Sequence, residues 1–319
     1  MGPPIDAMAR QPQKKLCSLT NHLFCRIIRI IFTIPVFAIL AFLGILLESR
    51  AVYLIPLTQV YESFALGGFF FLLCAWIHPD GAERERILNR EGKLGMYNRV
   101  WFFVFQQPFV MIVLVVVQEI TQAAGVFCAT SKNIQFAHVW ISSFSSVTTI
   151  FAIGAVLRFH GATKQMTAQQ KPLLKLVSFK GIVFLSWIQS ALFSFLTSSG
   201  HLHPNNHLTF LDLSVGIPAM ITCLEMALFS MLFLFAYPIG PYTAKGQITG
   251  LLHGSGPTSH PEYVGGPLGL SALFEALNIF DLIKAMMMAP IRLGKGRAMM
   301  MKEQASAAEE DPKNKAYEG

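Results

Sequence analysis

Apolar runs separated by short polar segments dominate the chain. Each run is close to the roughly 20 residues that an α-helix needs to cross a bilayer. The pattern predicts six spans: Ile27–Leu47, Tyr53–Ile77, Trp101–Ala123, Ala137–Leu157, Leu176–Leu196 and Leu213–Tyr237. The fold expected is therefore all-α, a polytopic membrane helix bundle.

The connecting segments alternate in charge. Lys14, Lys15, Arg26 and Arg29 open the chain, and Arg84, Arg86, Arg90, Lys93 and Arg99 fill the second loop. Arg158, Lys164, Lys171 and Lys175 fill the fourth, and Lys245, Lys284, Arg292, Lys295 and Arg297 follow the last span. The first, third and fifth loops offer only Arg50 and Lys132. Because cytoplasmic loops carry the excess of Lys and Arg, both termini are expected in the cytoplasm, with an even number of spans between them.

The domain pattern follows. Residues 1–25 form a cytoplasmic tail and 26–243 the helix bundle. Residues 244–267 are a Gly/Pro-rich linker. In 268–294, Leu270, Leu273, Phe274, Leu277 and Phe280 recur at helical spacing, with Glu275, Asn278, Asp281 and Lys284 as a polar ridge. This predicts an amphipathic helix on the cytoplasmic leaflet, with basic residues after it that anionic lipid attracts. The segment 295–319 reads as a disordered polar tail.

Composition sharpens this picture. Of 319 residues 53% are hydrophobic and 13% charged, about half the roughly 25% charge of a soluble domain. The net charge of +7 is spread over loops instead of forming one patch, so it reads as topology and not as a nucleic-acid site. The five cysteines, Cys17, Cys25, Cys74, Cys128 and Cys223, have neither disulfide nor zinc spacing. The first apolar run is too long for a signal-peptide core and lacks a small-residue cleavage site.

Polar residues inside the spans carry the candidate chemistry. Glu62 lies about nine residues into the second span, or roughly 14 Å of helix rise, and Glu225 reaches a comparable depth in the sixth. A central charge costs about 2.5–3.5 kcal/mol on insertion scales, which makes function the default reading. The alternative is a neutral acid acting as interhelical hydrogen-bond glue. Lys180 lies near the cytoplasmic start of the fifth span, from where its ammonium can snorkel to the interface. Gln59, Gln106, Gln107, Gln118, Glu119 and Gln189 add polar groups, and Pro35, Pro56, Pro108 and Pro218 free backbone carbonyls. Gly67 and Gly68 suit close helix approach. Cys74, near the cytoplasmic end of its span, is a candidate for S-palmitoylation. His201, His203 and His207 in the fifth loop have no standard metal spacing. No Walker, GxSxG, HExxH or Rossmann motif occurs, so no enzyme activity, cofactor or metal is expected.

Several motifs, in order, resemble the organic solute transporter alpha family, which includes the transmembrane-protein-184 group of plants, fungi and animals. RIIRIIFTIPVFAILAFLGIL at 26–46 is similar to the start of a central family helix, and YESF at 61–64 to its intramembrane Tyr-Glu. Pro108 and Gln118 match part of a third-span pattern. KPLLKLVSFKGIVFLSWIQSALFSFLTSSG at 171–200 keeps the family spacing of Lys180 and Gln189. CLEMALFSMLFLFAYPIGPY at 223–242 resembles its Glu-Met helix, and EALNIFDLIKAM at 275–286 its post-membrane Asn-x-x-Asp helix. The family pattern has seven helices, one of which would precede the region matched here. Gln107 stands where relatives carry a positive charge, and no His or Lys lies between Glu225 and Ala236.

The resemblance implies facilitated diffusion of amphipathic organic solutes, such as steroid conjugates and bile-acid-like or lipid-like molecules. The candidate solute pathway comprises Gln59, Tyr61, Glu62, Gln118, Lys180, Gln189 and Glu225, with Lys180 attracting an anionic head near the cytoplasmic mouth. The expected partners are the solute, membrane lipids, and a single-pass beta-like subunit or further copies of the chain, with no nucleic acid. The expected location is the plasma membrane or an endosomal or vacuolar membrane. A non-transporting receptor or scaffold in organelle or lipid signalling is the alternative.

Overall fold

The computed structural model describes residues 25–128, 133–167, 172–198, 209, 212–237, 277–278 and 280–294. The N-terminal tail up to residue 24, the loop with His201, His203 and His207, the linker 244–267, residues 268–276 and the tail 295–319 lie outside them. All regular structure among the described residues is helical. In chain order the longer helices are α1 (Cys25–Leu46), α2 (Ala51–Ile77), α3 (Gly81–Arg90), α4 (Leu94–Ala123), α5 (Ala137–Ala162), α6 (Pro172–Ser198), α7 (Ile217–Ala236) and α8 (280–294), with a single helical turn, Lys164–Thr167, after α5. Five of them, α1, α2, α4, α5 and α7, are long and apolar enough to cross a membrane. Helix α6, of 27 residues, covers the fifth expected span. The protein is a multi-pass membrane helix bundle.

Several ends are explained locally. Pro35 has no N–H to offer, and α1 carries a turn at Phe32, within the preceding turn of helix. Pro56 follows a similar turn at Ile55, where the Thr58 hydroxyl donates to the Ile55 carbonyl at 2.7 Å. Pro108 is absorbed within α4 without a break. Helix α3 falls where the second loop was expected. Asp80 caps its first turn by accepting from the Ala82 N–H, and Gly92 ends it at φ 65°, where the Lys93 N–H reaches the Leu88 carbonyl at 2.7 Å. A 3₁₀ turn, Glu48–Arg50, joins α1 to α2, and a π turn, Asp212–Gly216, leads into α7.

The chain divides into two compact units. The first comprises residues up to Leu72 together with Gln169–Asn278. Within it α7 runs antiparallel to α6: Gly181 faces Phe229, Gln189 bonds to Pro218, and the Tyr237 hydroxyl donates to the Lys175 carbonyl. A Cβ at Gly181 would sit 3.3 Å from the Phe229 ring, so the glycine permits this approach. Helix α7 also lies antiparallel to α1, with the Cys223 thiol beside the Ala38 carbonyl and Ala219 beside Gly44. Ile30, Leu66, Phe69, Phe70, Phe179 and Ile182 fill the interior.

The second unit comprises Leu73–Ala168 and the chain from Ile279 on. Its frame is the antiparallel pair α4–α5, matched rung by rung. Tyr97 packs on Phe159, Phe103 stacks on Phe151, Gln107 donates to the Thr149 hydroxyl at 2.7 Å, and Ser145 approaches Met111. Helix α8 packs here too: Leu282, Ala285 and Ala289 are buried, and the Trp101 Nε1–H donates to the Ala285 carbonyl at 3.2 Å. Leu277 is helical and Asn278 is not.

Large apolar side chains face outward on the spans, among them Phe144, Ile150 and Phe151 on α5 and Leu224, Leu228 and Phe235 on α7. Water does not tolerate continuous apolar faces of this length, whereas hydrocarbon does. With every backbone group satisfied inside a helix, such faces suit lipid.

Candidate functional site

The first unit encloses a set of polar side chains in an apolar setting. At its centre the Lys180 ammonium on α6 pairs with the Glu62 carboxylate on α2, their side chains 13% and 12% exposed. The Phe179 ring lies 4.9 Å from the same ammonium. Solvent screening is weak at such a site, so each charge depends on the other.

Around the pair, other polar groups are held by backbone. Tyr61, one residue before Glu62, donates its hydroxyl to the Arg29 carbonyl at 2.8 Å and packs its ring near Phe32. Arg29 is itself buried, and its Nη2 donates to the Asn278 carbonyl at 2.6 Å. Gly68 makes room for it, since a Cβ there would lie 3.3 Å from the Arg29 Cδ. One turn before Arg29, Arg26 donates to the Phe71 carbonyl at 2.6 Å and lies over the Phe71 ring.

Towards the start of α7, Gln189 Nε2 donates to the Pro218 carbonyl at 2.7 Å, which also receives the Thr222 hydroxyl at 2.9 Å. Gln189 Oε1, Glu225 Oε2 and Thr33 Oγ1 are buried with no hydrogen-bond partner. Buried polar atoms of this kind normally find one. Outside the spans, the N–H and hydroxyl of Thr209 both donate to Asp212 Oδ2 at 2.7 Å and hold its carboxyl below the usual range.

Of the residues the sequence singled out, the structure thus joins Glu62 to Lys180 and places Tyr61 and Gln189 on backbone carbonyls. Glu225 is buried without a partner for Oε2, Gln59 is exposed on α2, and Gln118 is half-buried on α4 in the second unit. The Cys74 thiol is fully buried, so a lipid chain on it requires that packing to open. Arg29, which the charge pattern counts as a topology signal, is buried and bonded to backbone. Its position inside the first apolar run was the available signal. Among the described residues no group of three or more His, Cys, Asp or Glu side chains is placed to hold a metal.

The helices that carry these residues coincide with a known family. The family model described as organic solute transporter Ostalpha matches residues 21–242, from before α1 to beyond α7. The chain belongs to the Ostalpha family. The resemblance first read from its short motifs is thereby confirmed. Among similar proteins, Protein LAZ1 of Arabidopsis thaliana is 25% identical over 255 residues, covering 69% of this chain and 52% of that relative. Protein LAZ1 homolog 1 of the same plant is 24% identical over 250 residues, 68% of this chain and 51% of the relative. The vacuole membrane protein hfl11 of Schizosaccharomyces pombe is 23% identical over 239 residues, 68% of this chain and 54% of the relative. This Ostalpha-family chain therefore spans about half the length of the curated relatives it matches. No solved structure matches it significantly.

Proposed function

We propose that this protein is a six-span membrane carrier moving amphipathic organic solutes, such as steroid conjugates or bile-acid-like and lipid-like molecules, by facilitated diffusion. Helix α6 is the fifth span, and both termini are cytoplasmic. The observation that carries this reading is the Glu62–Lys180 pair enclosed by apolar helices, with the unpartnered acceptors of Gln189 and Glu225 on neighbouring helices. An anionic head competes with Glu62 for the Lys180 ammonium, and the solute's hydroxyls donate to Gln189 and Glu225. Its apolar body stays against apolar side chains or lipid. The family's name supports the substrate class, and the name of the fission-yeast relative favours a vacuolar or endosomal membrane. No part of this scheme calls for a catalytic group or cofactor.

One observation favours a second reading. Glu62 and Lys180 neutralise each other, as a purely structural clamp in a receptor or scaffold would. Uptake of a labelled steroid sulfate into vesicles holding the chain alone separates the two. The carrier takes it up saturably, Glu62→Gln and Lys180→Ala reduce the flux, and the double exchange Glu62→Lys with Lys180→Glu restores folding without restoring flux. Wild-type rates in all three variants refute the residue assignment. No saturable uptake by correctly inserted wild-type protein favours the scaffold.

A further inference from the structure

Apart from Asp281, Lys284 and Arg292, helix α8 is apolar, with large side chains on more than one side. One side is covered by protein. Leu282, Ala285 and Ala289 are buried, and the two alanines let the backbone come close enough for Trp101 to bond the Ala285 carbonyl. The Arg292 guanidinium lies 4.2 Å from the Trp101 ring centroid and 2.8 Å from the Glu85 carboxylate. Helix α8 is thus fixed to α3 and α4 within the second unit. The opposite side is bare: at 100° per residue Ile283, Met287 and Ile291 fall on one stripe facing away from the buried one, with Met287 73% and Ile291 61% exposed.

We infer that this Ile283–Met287–Ile291 stripe is a lipid-binding surface, seated in the headgroup–acyl boundary of an anionic cytoplasmic leaflet. Two observations select lipid as the occupant. Trp101 stands where the apolar run of α4 begins, two residues after Arg99 and eight after Lys93, and the change from basic to apolar sequence marks this level of the helix as the membrane boundary. Its bond to Ala285 fixes the middle of α8 at that depth. The charge balance is also right. Arg292 is neutralised by Glu85, whereas Lys284 is exposed beside the stripe and Lys295 and Arg297 follow in sequence. Cations flanking a buried apolar stripe draw an interfacial helix to anionic lipid. The inference is independent of what the protein carries.

The test uses the full chain with its five cysteines replaced by alanine and a single spin label at position 282, 284 or 287. The protein is reconstituted in phosphatidylcholine vesicles with or without phosphatidylserine. Accessibility to oxygen, which concentrates in lipid, is compared with that to a water-soluble nickel complex. At 287 the oxygen-to-nickel ratio is expected to exceed that at 284 several-fold and to rise further with phosphatidylserine. The label at 282 is shielded from both probes, which reports that α8 is docked and the fold intact. A label at 287 that is open to nickel places the stripe in water and overturns the inference. One shielded from both probes, or coupled to a second label across a dimer, assigns the face to protein and overturns it equally. An unchanged ratio with phosphatidylserine removes the anionic preference.

Discussion

The carboxylate of Glu62 meets the ammonium of Lys180 across 118 positions of sequence, from α2 to α6. Both side chains are largely withdrawn from solvent. Removing one partner strands the other charge, which costs about 3–5 kcal/mol at buried sites, whereas replacing both by apolar groups is often neutral. Glu62→Leu and Lys180→Met should each lower the midpoint of thermal unfolding in detergent, and the double substitution should recover most of the loss. A double variant as unstable as the sum of the singles would show that the two charges are not coupled.

The pair was only half legible in the sequence. Hydropathy gave Glu62 its depth, but a periodic pattern does not say which helix a face will meet. The apolar run counted from Leu176 puts Lys180 near a helix end. Helix α6 begins at Pro172, four residues or about 6 Å earlier, and the ammonium meets the Glu62 carboxylate on α2. Helix α3 was hidden for a related reason. Half of its ten residues are charged, and it is held to the second unit by the buried Leu88 and Arg84 and by the Glu85–Arg292 ion pair. The long spans were legible because their length is set by the bilayer and not by contacts.

Gly68 tests how tightly the buried Arg29 is held. Its Cδ is 3.3 Å from the position of a Cβ at residue 68, and its far end is pinned to the Asn278 carbonyl. The side chain therefore cannot swing aside freely. Overpacking costs about 1–3 kcal/mol, so Gly68→Val should destabilise the protein by that amount. Gly154→Ala, where nothing lies within 4 Å, should be neutral or mildly stabilising. Equal thermal midpoints for the two variants would refute the close contact.

The bond from Gln107 to Thr149 predicts an asymmetry. Gln107 is buried, and its Oε1 has no hydrogen-bond partner. Thr149→Val leaves the amide without its acceptor as well, whereas Gln107→Leu removes the whole polar group. A stranded buried group costs about 1–3 kcal/mol, and replacing it by an apolar one can be near neutral. Thr149→Val should therefore lower the unfolding midpoint more than Gln107→Leu. The reverse order would mean that the bond contributes more than the exposed mismatch costs.

Gly92 closes α3 with φ 65°, a conformation that costs an L-residue about 1–2 kcal/mol. A Cβ there meets nothing within 4 Å, so any penalty is conformational. Gly92→Ala should destabilise α3 by about 1 kcal/mol and Gly92→Asn by less, since Asn tolerates this region. Hydrogen exchange at the Leu88 and Lys93 amides, in protein held in detergent, reads the effect locally. Undiminished protection in Gly92→Ala would show that the turn is not the seat of the strain.

The cap at the start of α7 makes a pH prediction. Two Thr209 donors hold the Asp212 carboxyl below its usual range. A depressed carboxylate contributes stability that is fully present above the unfolded pKa of about 3.9 and is lost as pH falls through the folded value. The turn leading into α7 should thus keep its hydrogen-exchange protection from neutral pH down to the mildly acidic range. It should lose protection only below about pH 4, the ordinary carboxylate range. Asp212→Asn should weaken protection at every pH, because a neutral amide accepts these bonds less strongly than a carboxylate. Loss of protection in the wild type near pH 6 would show that another group, and not Asp212, governs this end of the helix.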